Sequence, residues 1–600
     1  MLKKMGKYLV VGIVGIFVAT TGVNALEVKD FNELNACLTS EDETTCTVTQ
    51  DITFTSNIVV KGTKTLDLNG YTLTLGNNKV EIVGEDQNAN LTVIDNGEKG
   101  TVIASNRAFE VTYGGTLNVT KATINASQGI GIWGYEDPTS VKTTVTVRED
   151  VTMNVINSEG NGAGIAVFYD EDKGSYGVVV DFYGTIHANE NNGFTINGKV
   201  NKDGENVPVF NIYDSASIDA PTGVAIYGAG YAEWNIFGGS FSGPESLSIK
   251  AGIYNITGGE FHATGEFFDP ALEYDNGSES TGAAISVTAN DSYAMKVELN
   301  ISNVIAKSDK GYALYEGISV NNEGEPVVDS SAIKSITIQS GTFTGAEGAI
   351  KISSKDEVSS FITGGTYNTS IDVDYVKDSY VVEQDGENYV VKPNLVIATD
   401  DENVTFESEE PLPNDYTLVV EEEKLENEEE VEASITEEIT AILEKEEEKL
   451  LDSKLVATYD ISVIDSNDQV VKLENGNYVI SIKVTDEQVK GFTAFKVAYL
   501  DDAGKVAEIL DATLKDGVVT FETSHLSTYA IIGYNAVTLS EEDNPTIGDS
   551  DDTTTPNTPS EETPEVPQTF DSLSIYVGVG LISIAAIVGA VFYIKRKQTN

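Results

Sequence analysis

Positive charge and histidine are scarce in this chain. Its 600 residues include 37 Lys and Arg against 96 Asp and Glu, which gives a formal net charge of −59. Nucleic-acid backbones are bound by clustered Lys and Arg, so this composition argues against a nucleic-acid partner. Such an acidic surface favours solubility and repels other anionic surfaces.

Cysteine is also nearly absent, because Cys37 and Cys46 are the only two. They do not form a CxxC motif, so the sequence gives no sign of redox chemistry. Outside the cell a disulfide between them is permitted and would staple the start of the fold. Two unpaired, small apolar side chains are the alternative.

Motifs of common catalytic and metal sites are missing as well. There is no Walker loop, GxSxG elbow or HExxH sequence. The stretch 170–174 (DEDKG) begins like a calcium loop, but Lys173 and the missing later ligands break the EF-hand pattern. His525 has no evident acid and nucleophile partners, so we expect it to be structural. The sequence therefore predicts no catalytic residue, no metal ion and no cofactor.

The N-terminus has the pattern of a secretory signal peptide. Lys3, Lys4 and Lys7 precede the short apolar stretch 9–19, and the small-x-small sequence at 23–25 is typical of a cleavage site. We expect residues 1–25 to be removed and the mature chain to begin near Leu26.

The C-terminus has the pattern of a membrane span. Residues 573–594 carry no charge, and 22 such residues are long enough for a hydrocarbon core of about 30 Å. Lys595, Arg596 and Lys597 follow at once. The positive-inside rule then predicts a cytoplasmic tail, with everything before the span outside the cell.

The sequence Val566-Pro567-Gln568-Thr569 precedes this span and resembles the LPxTG-type sorting signal of Gram-positive surface proteins. The resemblance implies that a sortase cleaves after Thr569 and joins it to the cell wall. Val566 replaces the usual Leu, and Phe570 stands where the family has Gly. A protein that simply stays anchored in the membrane is the alternative.

Two nearly identical octets, WNIFGGSF (234–241) and YNITGGEF (254–261), indicate a repeat. A second element, Gly-apolar-x-apolar, recurs at Gly129, Gly164, Gly193, Gly223 and Gly311. The apolar runs are short, have the period-two pattern of strands and are separated by glycine pairs. A repeat of 20 to 30 residues predicts a solenoid in which each unit buries its apolar edge against the next.

The first part of the chain resembles the right-handed parallel β-helix of pectate-lyase-like proteins, as found on the surface of Gram-positive gut bacteria. The resemblance is carried by QDITFTSNIVVKGTKTLDLNGYTLTL (50–75) and by VKDFNELNACL before it, which looks like a capping helix. It implies an N-terminal cap at 26–50 (helix plus first strand) and a β-helix at 51–393. A hairpin turning at Asp385-Gly386 would close the rod.

Residues 394–535 form a second, acidic unit. Ser434 and Glu437 have capping-box spacing and predict a helix near 434–451. The alternating strands that follow suit a β-sandwich, and the sequence at 519–533 resembles the last strands of Ig-like modules. We expect an acidic Pro/Thr linker at 536–565, then the sorting-like motif, membrane helix and tail at 566–600.

A row of outward aromatic rings is the strongest candidate site. In the Gly-apolar-x-apolar element the next residue should point outward, and in four copies it is aromatic: Trp133, Phe168, Tyr227 and Tyr315. Tyr135 lies beside the first of them. Such rings pack well against sugar rings. Alternatively, they fold into a neighbouring strand or lie beneath an insertion.

These features predict a surface-anchored, non-catalytic, adhesin-like protein whose rod binds glycans or other cell-surface ligands. A surface-held polysaccharide lyase or glycoside hydrolase is the alternative, since hydrolysis needs only two suitably spaced carboxylates. However, Arg107 and Arg148 do not match the paired arginines of pectate lyases, and His187 and His262 lack the flanking glycines of polygalacturonases. A passive spacer without a ligand is a third reading.

Overall fold

The structure is a computed structural model. It describes residues 24–539 apart from 86, 136–140, 157–161, 169–175, 198–205, 273–278, 290–296, 322–324, 326–331, 354–357, 400 and 502. The predicted signal peptide, except its last two residues, the linker beyond residue 539, the sorting motif and the C-terminal span lie outside the described residues, as does the DEDKG stretch. Within the described ranges no helix is long and apolar enough to cross a membrane.

The first part of the chain is built from long parallel sheets, consistent with a β-helix. Most turns of the chain contribute three strands in the same order, which stack on the strands of neighbouring turns. We call the three stacks face 1, face 2 and face 3. Two long strands, Thr116–Ala126 and Thr143–Val155, run through faces 1 and 2 and join them into one 24-stranded sheet.

Besides these two strands, face 1 contains Asn24–Val28, Thr44–Val48, Thr63–Asp67, Asn90–Ile94, Val178–Phe182, Val209–Ile212, Glu233–Ile236, Gly252–Ile256, Val297–Ile301 and Ile333–Ile338. Face 2 contains Ile52–Thr53, Thr72–Gly76, Thr101–Ala104, Thr185–Ala188, Ser217–Asp219, Ser240–Gly243, Gly259–Ala263, Val304–Ser308, Gly341–Gly345 and Gly365–Tyr367. Face 3 contains Ile58–Val59, Val80–Val83, Arg107–Thr112, Gln128–Trp133, Ala163–Phe168, Asn192–Asn197, Val224–Ala229, Glu245–Ile249, Ile285–Ala289, Tyr312–Ile318 and Gly348–Lys351.

The repeated octets are two successive coils in register. Trp234 lies beside Tyr254 on face 1, and Phe241 lies beside Phe261 on face 2. All four side chains are buried, because alternate residues of a strand point to the same side and these point into the rod. The glycine pair makes the corner between the two faces. The second recurring element, Gly-apolar-x-apolar, lies on face 3.

Both ends of the rod are closed. At the N-terminal end the helix Phe31–Leu38 is capped by the Asp30 side chain and buries Leu34 and Leu38. Cys37 and Cys46 form a disulfide with a Cα–Cα distance of 6.0 Å. The parallel pairing begins with the strand Asn24–Val28, so the rod starts before residue 51, where the sequence placed its first coil.

At the C-terminal end the strands Tyr380–Asp385 and Asn388–Pro393 form the hairpin that the sequence indicated, after a short 3-10 helix, Val373–Tyr375. The second hairpin strand pairs antiparallel with Gly365–Tyr367. The hairpin thus covers an edge that would otherwise present unpaired backbone groups.

The second part of the chain forms one continuous sheet, antiparallel except for the parallel pair of Ala398–Thr399 with Thr417–Glu422, rather than the two sheets of a sandwich. A bridge between Val396 and Glu407 connects the two ends of the strand order, so the sheet curves round a core that includes Phe406, Ile480 and Ile531. Its strands are Ala398–Thr399, Val404–Ser408, Thr417–Glu422, Glu448–Ile464, Val470–Val471, Glu474–Lys483, Ala494–Leu500, Val506–Lys515, Val518–His525 and Thr528–Thr538. A short helix, Asp486–Val489, lies between two of them.

The long helix of this part is Glu428–Lys445, so the prediction of 434–451 was wrong at both ends. It begins earlier because Glu428, Glu429 and Glu430 occupy its first turn, where negative charge stabilises a helix N-terminus. It ends earlier because the residues from Glu448 onward pair as a strand. Its apolar side, including Ile435 and Ile439, packs on the outside of the sheet.

Candidate ligand-binding surfaces

The predicted aromatic row is divided into two columns on face 3. Trp133 pairs with Phe168, and Phe168 pairs with Asn197, so the first two aromatics are direct neighbours. Tyr227 instead pairs with Thr195, which places it two residues away from their column. The four predicted aromatics therefore do not share one column of the face.

The reason is a change of register between two coils. Aligning the chain on its glycines places Gly193 beside Gly223. The backbone hydrogen bonds instead pair Phe194 with Ile226, a shift of two residues. A shift of two residues keeps every side chain on the same side of the sheet. The inward and outward pattern of the sequence therefore does not reveal the shift.

Trp133 and Phe168 form a stacked pair with the Arg107 guanidinium over both rings. The two ring centroids are 4.4 Å apart at an interplanar angle of 19°. The Arg107 Cζ atom is 4.4 Å from the centre of the Trp133 ring and 5.1 Å from that of Phe168. Both aromatic side chains are half-buried. They present their remaining surface, beside a fixed positive charge, at the end of face 3.

Arg107 is held in place by its own coil and the next one. Its Nε and Nη2 atoms donate to the Gln128 side-chain oxygen at 2.9 and 2.7 Å, and its Nη1 atom pairs with Glu110. A Cβ atom at Gly131 would lie 2.2 Å from the Arg107 Nε atom. Glycine at this position therefore leaves the space in which the guanidinium lies.

Three successive connections between face 3 and face 1 are long at this corner. Nine residues separate Trp133 from Thr143, and nine separate Phe168 from Val178. Loops on a rigid scaffold commonly carry binding residues. Tyr135 lies in the first connection, where its hydroxyl donates to the Tyr113 carbonyl at 2.7 Å. Its ring lies 5.6 Å from that of Tyr113.

Tyr315 points outward in the same column as Tyr227, but it is fully buried. Its prediction as a ligand-stacking residue is therefore wrong, and the alternative of a ring beneath an insertion holds here. The segment 264–272 crosses the outside of face 3 and covers it. The Tyr315 ring packs 5.4 Å from that of Phe267, and its hydroxyl donates to Asp269 at 2.9 Å. Lys351 pairs with the other Asp269 oxygen at 3.1 Å. We call the segment 264–272 the strap.

Asp269→Ala is expected to loosen the strap. Burial disfavours the ionised Asp269 carboxylate, but hydrogen bonds from the Ala271 amide, Lys351 and Tyr315 outweigh it and lower the Asp269 pKa. Because the Asp269 pKa is lower in the folded state, the ionised carboxylate stabilises the folded state at pH values above the ordinary aspartate pKa. This stabilisation is lost as the pH falls through the lowered pKa. The protection of strap amides, measured relative to the intrinsic exchange rate at each pH, should therefore fall in the variant and, in the native chain, at acid pH.

Glu266→Ala is the matched control for this prediction. Glu266 lies in the same strap and forms an ion pair with Lys310 at an exposed position, so its loss should leave exchange unchanged. Equal exchange in the native chain and in Asp269→Ala would contradict the role of Asp269.

A second aromatic stack lies at the corner between faces 1 and 2, and sequence reasoning missed it. Tyr183 and Tyr213 stack with ring centroids 4.0 Å apart and nearly parallel planes, and Phe237 follows at 5.2 Å. Arg148 lies 5.0 Å from the Tyr183 ring. We call Tyr183, Tyr213 and Phe237 the corner stack. The signal was available, because Phe237 is the fourth letter of the first octet and Tyr213 aligns with it.

An asparagine ladder runs along face 1 beside the corner stack. Asn235 donates to Asn211, Asn255 donates to Asn235, and Asn300 donates to Asn255, at 3.0 to 3.1 Å. Asn211 begins the ladder by donating to Asp181 at 2.9 Å. Each amide thereby bridges two coils on the outside of the rod. These residues are the second letter of the octets.

A shallow groove of about 570 Å³ lies on face 2 next to the corner stack. Its lining includes Asp214, Ser215, Ser240, Glu260 and Asn303, together with Ile305, Ala216, Ser217 and two glycines. Asp214 directly follows Tyr213 of the stack. We call this depression the corner groove.

The glycine pairs of the octets shape this groove. A Cβ atom at Gly258 would lie 2.4 Å from the Phe237 carbonyl oxygen of the preceding coil, so a side chain there would push the coils apart. Gly239 and Gly259 have φ angles of 105° and 113°, which residues with a side chain rarely adopt. The backbone at these glycines therefore packs tightly on the preceding coil, and the glycines add no side chain to the groove.

The described residues contain no cluster of three or more His, Cys, Asp and Glu able to hold a metal ion. His262 pairs with Asp309 at 2.9 Å in a partly exposed position. His525 ends its strand against Tyr499, with ring centroids 4.0 Å apart, and its carbonyl accepts from Tyr529. These contacts suit a structural His525.

Comparisons with family models, with curated proteins and with solved structures find no match to this chain.

Proposed function

We propose that the chain is a surface-displayed, non-catalytic, adhesin-like protein whose rod binds glycans. In this proposal the rod is a right-handed β-helix of the pectate-lyase-like kind. The observation that carries the proposal is the stacked pair Trp133 and Phe168, which Arg107 braces on an accessible part of the rod.

The chemistry of this pair suits a sugar ligand. Aromatic side chains pack against the apolar side of sugar rings, and polar groups beside them fix orientation. Arg107 and Gln128 supply such groups on two neighbouring coils.

The sequence features outside the described residues complete the proposal. A signal peptide would export the chain, and the motif ending at Thr569 would allow a sortase to attach it to the wall. If that motif is not used, the span at 573–594 would hold the protein in the membrane. In either case the rod faces away from the cell.

Trp133→Ala is expected to weaken glycan binding about tenfold or more, because it removes one of the two stacked rings. The test passes the purified full chain over immobilised plant, mucin and bacterial polysaccharides and measures both retention and new chain ends. Val59→Ala is the matched control, since Val59 is an exposed residue on the same face, several coils away.

The outcomes separate the two classes of function. Retention without cleavage that is lost in Trp133→Ala and kept in Val59→Ala supports the proposal. No retention by any polysaccharide refutes it. New chain ends that disappear on Asp214→Asn or Glu260→Gln would instead support a surface-held lyase or glycoside hydrolase.

A further inference from the structure

We propose that the corner stack and the corner groove form a second glycan site, separate from the Trp133–Phe168 pair, that takes neutral sugar rings. The inference shares only the ligand class with the proposed function. The two sites lie at different corners of the rod, so each can be tested without disturbing the other.

The first observation is an open ring at the end of the corner stack. Tyr213 is covered on its two sides by Tyr183 and Phe237. One side of the Phe237 ring contacts Tyr213. On its other side, the equivalent position of the next coil is Thr257, whose backbone N–H donates to the Ile236 carbonyl. A threonine is too small to cover a phenyl ring. Phe237 accordingly remains 45% exposed, although it is a large apolar residue.

The stack holds this ring in a fixed place. Burial raises the pKa of Tyr213, and its neighbours Tyr183 and Asp181 raise it further, so the hydroxyl stays protonated. That hydroxyl lies 3.4 Å from the Asp181 carboxylate at the start of the asparagine ladder. A ring fixed in advance loses little conformational freedom when a ligand packs on it.

The second observation is the polar groove on the C-terminal side of the ring. The Ser240 hydroxyl can both donate and accept hydrogen bonds. The Ser215 hydroxyl donates to the Tyr183 carbonyl and can accept, the Asn303 side-chain nitrogen can donate, and Asp214 and Glu260 accept. Sugar hydroxyls need this mixture of donors and acceptors. The volume of about 570 Å³ is within the range of small-molecule sites.

The charge of the groove selects the class of sugar. Its lining includes two carboxylates and no Lys or Arg. Uronic, sialic and sulfated sugars carry negative charge and would be repelled, more so on a chain with a net charge of −59. Neutral hexoses and N-acetylhexosamines meet no such penalty. The surface around Trp133 and Phe168 carries Arg107 and should therefore differ from the corner groove in its preference between neutral and anionic sugars.

The test measures binding of short oligosaccharides to the full chain by titration calorimetry. The probes are neutral gluco-, manno-, xylo- and N-acetylglucosamine oligomers, with oligogalacturonate as the anionic comparison. We expect at least one neutral probe to bind, oligogalacturonate to bind at least about tenfold more weakly, and Phe237→Ala to weaken the neutral probe about tenfold. Phe237→Tyr keeps the ring and should keep binding.

Two further variants keep the proposal falsifiable if Phe237→Ala does not fold. Glu260→Lys changes an exposed groove residue and should reduce the ratio between the affinity for neutral probes and the affinity for oligogalacturonate. Val59→Ala, on face 3 and outside both sites, should leave binding of the neutral probe unchanged. The proposal is overturned if no neutral probe binds, if Phe237→Ala and Glu260→Lys both have no effect, or if Trp133→Ala alone abolishes binding. The last result would leave the proposed function standing.

Discussion

Trp234→Ala is expected to lower the free energy of unfolding of the coils around it by about 3–5 kcal/mol, the usual cost of emptying a large aromatic site in a core. Trp234 is fully buried. Its ring centroid lies 4.5 Å from that of Phe210, 5.1 Å from that of Phe194 and 5.8 Å from that of Tyr254. Three coils therefore lose contacts at once. Calorimetric unfolding of the full chain measures the loss.

Trp234→Phe is the matched comparison and should cost less than about 1.5 kcal/mol. It keeps a ring in the stack and removes the indole N–H, which finds no acceptor among the described residues. Losing a buried, unpaired donor removes its desolvation cost, which offsets part of the stability lost with the smaller ring. If the alanine and phenylalanine variants unfold alike, packing of this ring does not stabilise the rod.

Removing the disulfide is expected to cost about 2–5 kcal/mol, the range for native disulfides in small exported folds. Cys37 ends the capping helix and Cys46 lies in the second strand of face 1. Their link restricts the unfolded chain and keeps Leu34 and Leu38 over the end of the core. Solenoids depend on such caps for solubility, so the double serine variant should also aggregate sooner.

Urea unfolding with and without reductant measures this effect. The double variant Cys37→Ser/Cys46→Ser should unfold at the same urea concentration with and without reductant. The native chain should unfold at a higher urea concentration without reductant and should approach the midpoint of the double variant when it is reduced. An unchanged midpoint on reduction of the native chain would mean that packing alone holds the cap.

The rod could be predicted because its signal is repeated many times. The octets and the Gly-apolar-x-apolar elements show the same alternation of inward and outward residues in successive coils. The strands of face 1, face 2 and face 3 follow this alternation. The second part was harder. Its strands were visible, but whether they form two sheets or one curved sheet depends on long-range pairs such as Val404 with Ile482. No local pattern records those pairs.

The site was only partly predictable for similar reasons. Trp133 and Phe168 were found because they are outward and in register. Tyr227 was misplaced because a two-residue shift leaves the alternation intact. Tyr315 was misjudged because the strap that covers it lies more than forty residues earlier in the sequence. Phe237 was missed because the prediction followed the strands, whereas its ring stands at a corner.

The two octet coils also suggest how such a rod changes its length over generations. Residues 233–236 pair with 253–256 on face 1, and residues 240–243 pair with 260–263 on face 2, both with an offset of 20. The segment 233–252 therefore comprises one complete turn whose two ends meet adjacent positions. An in-frame tandem duplication of its coding sequence would insert a new turn without a new loop, and lengthen the reach of the protein by about 4.8 Å.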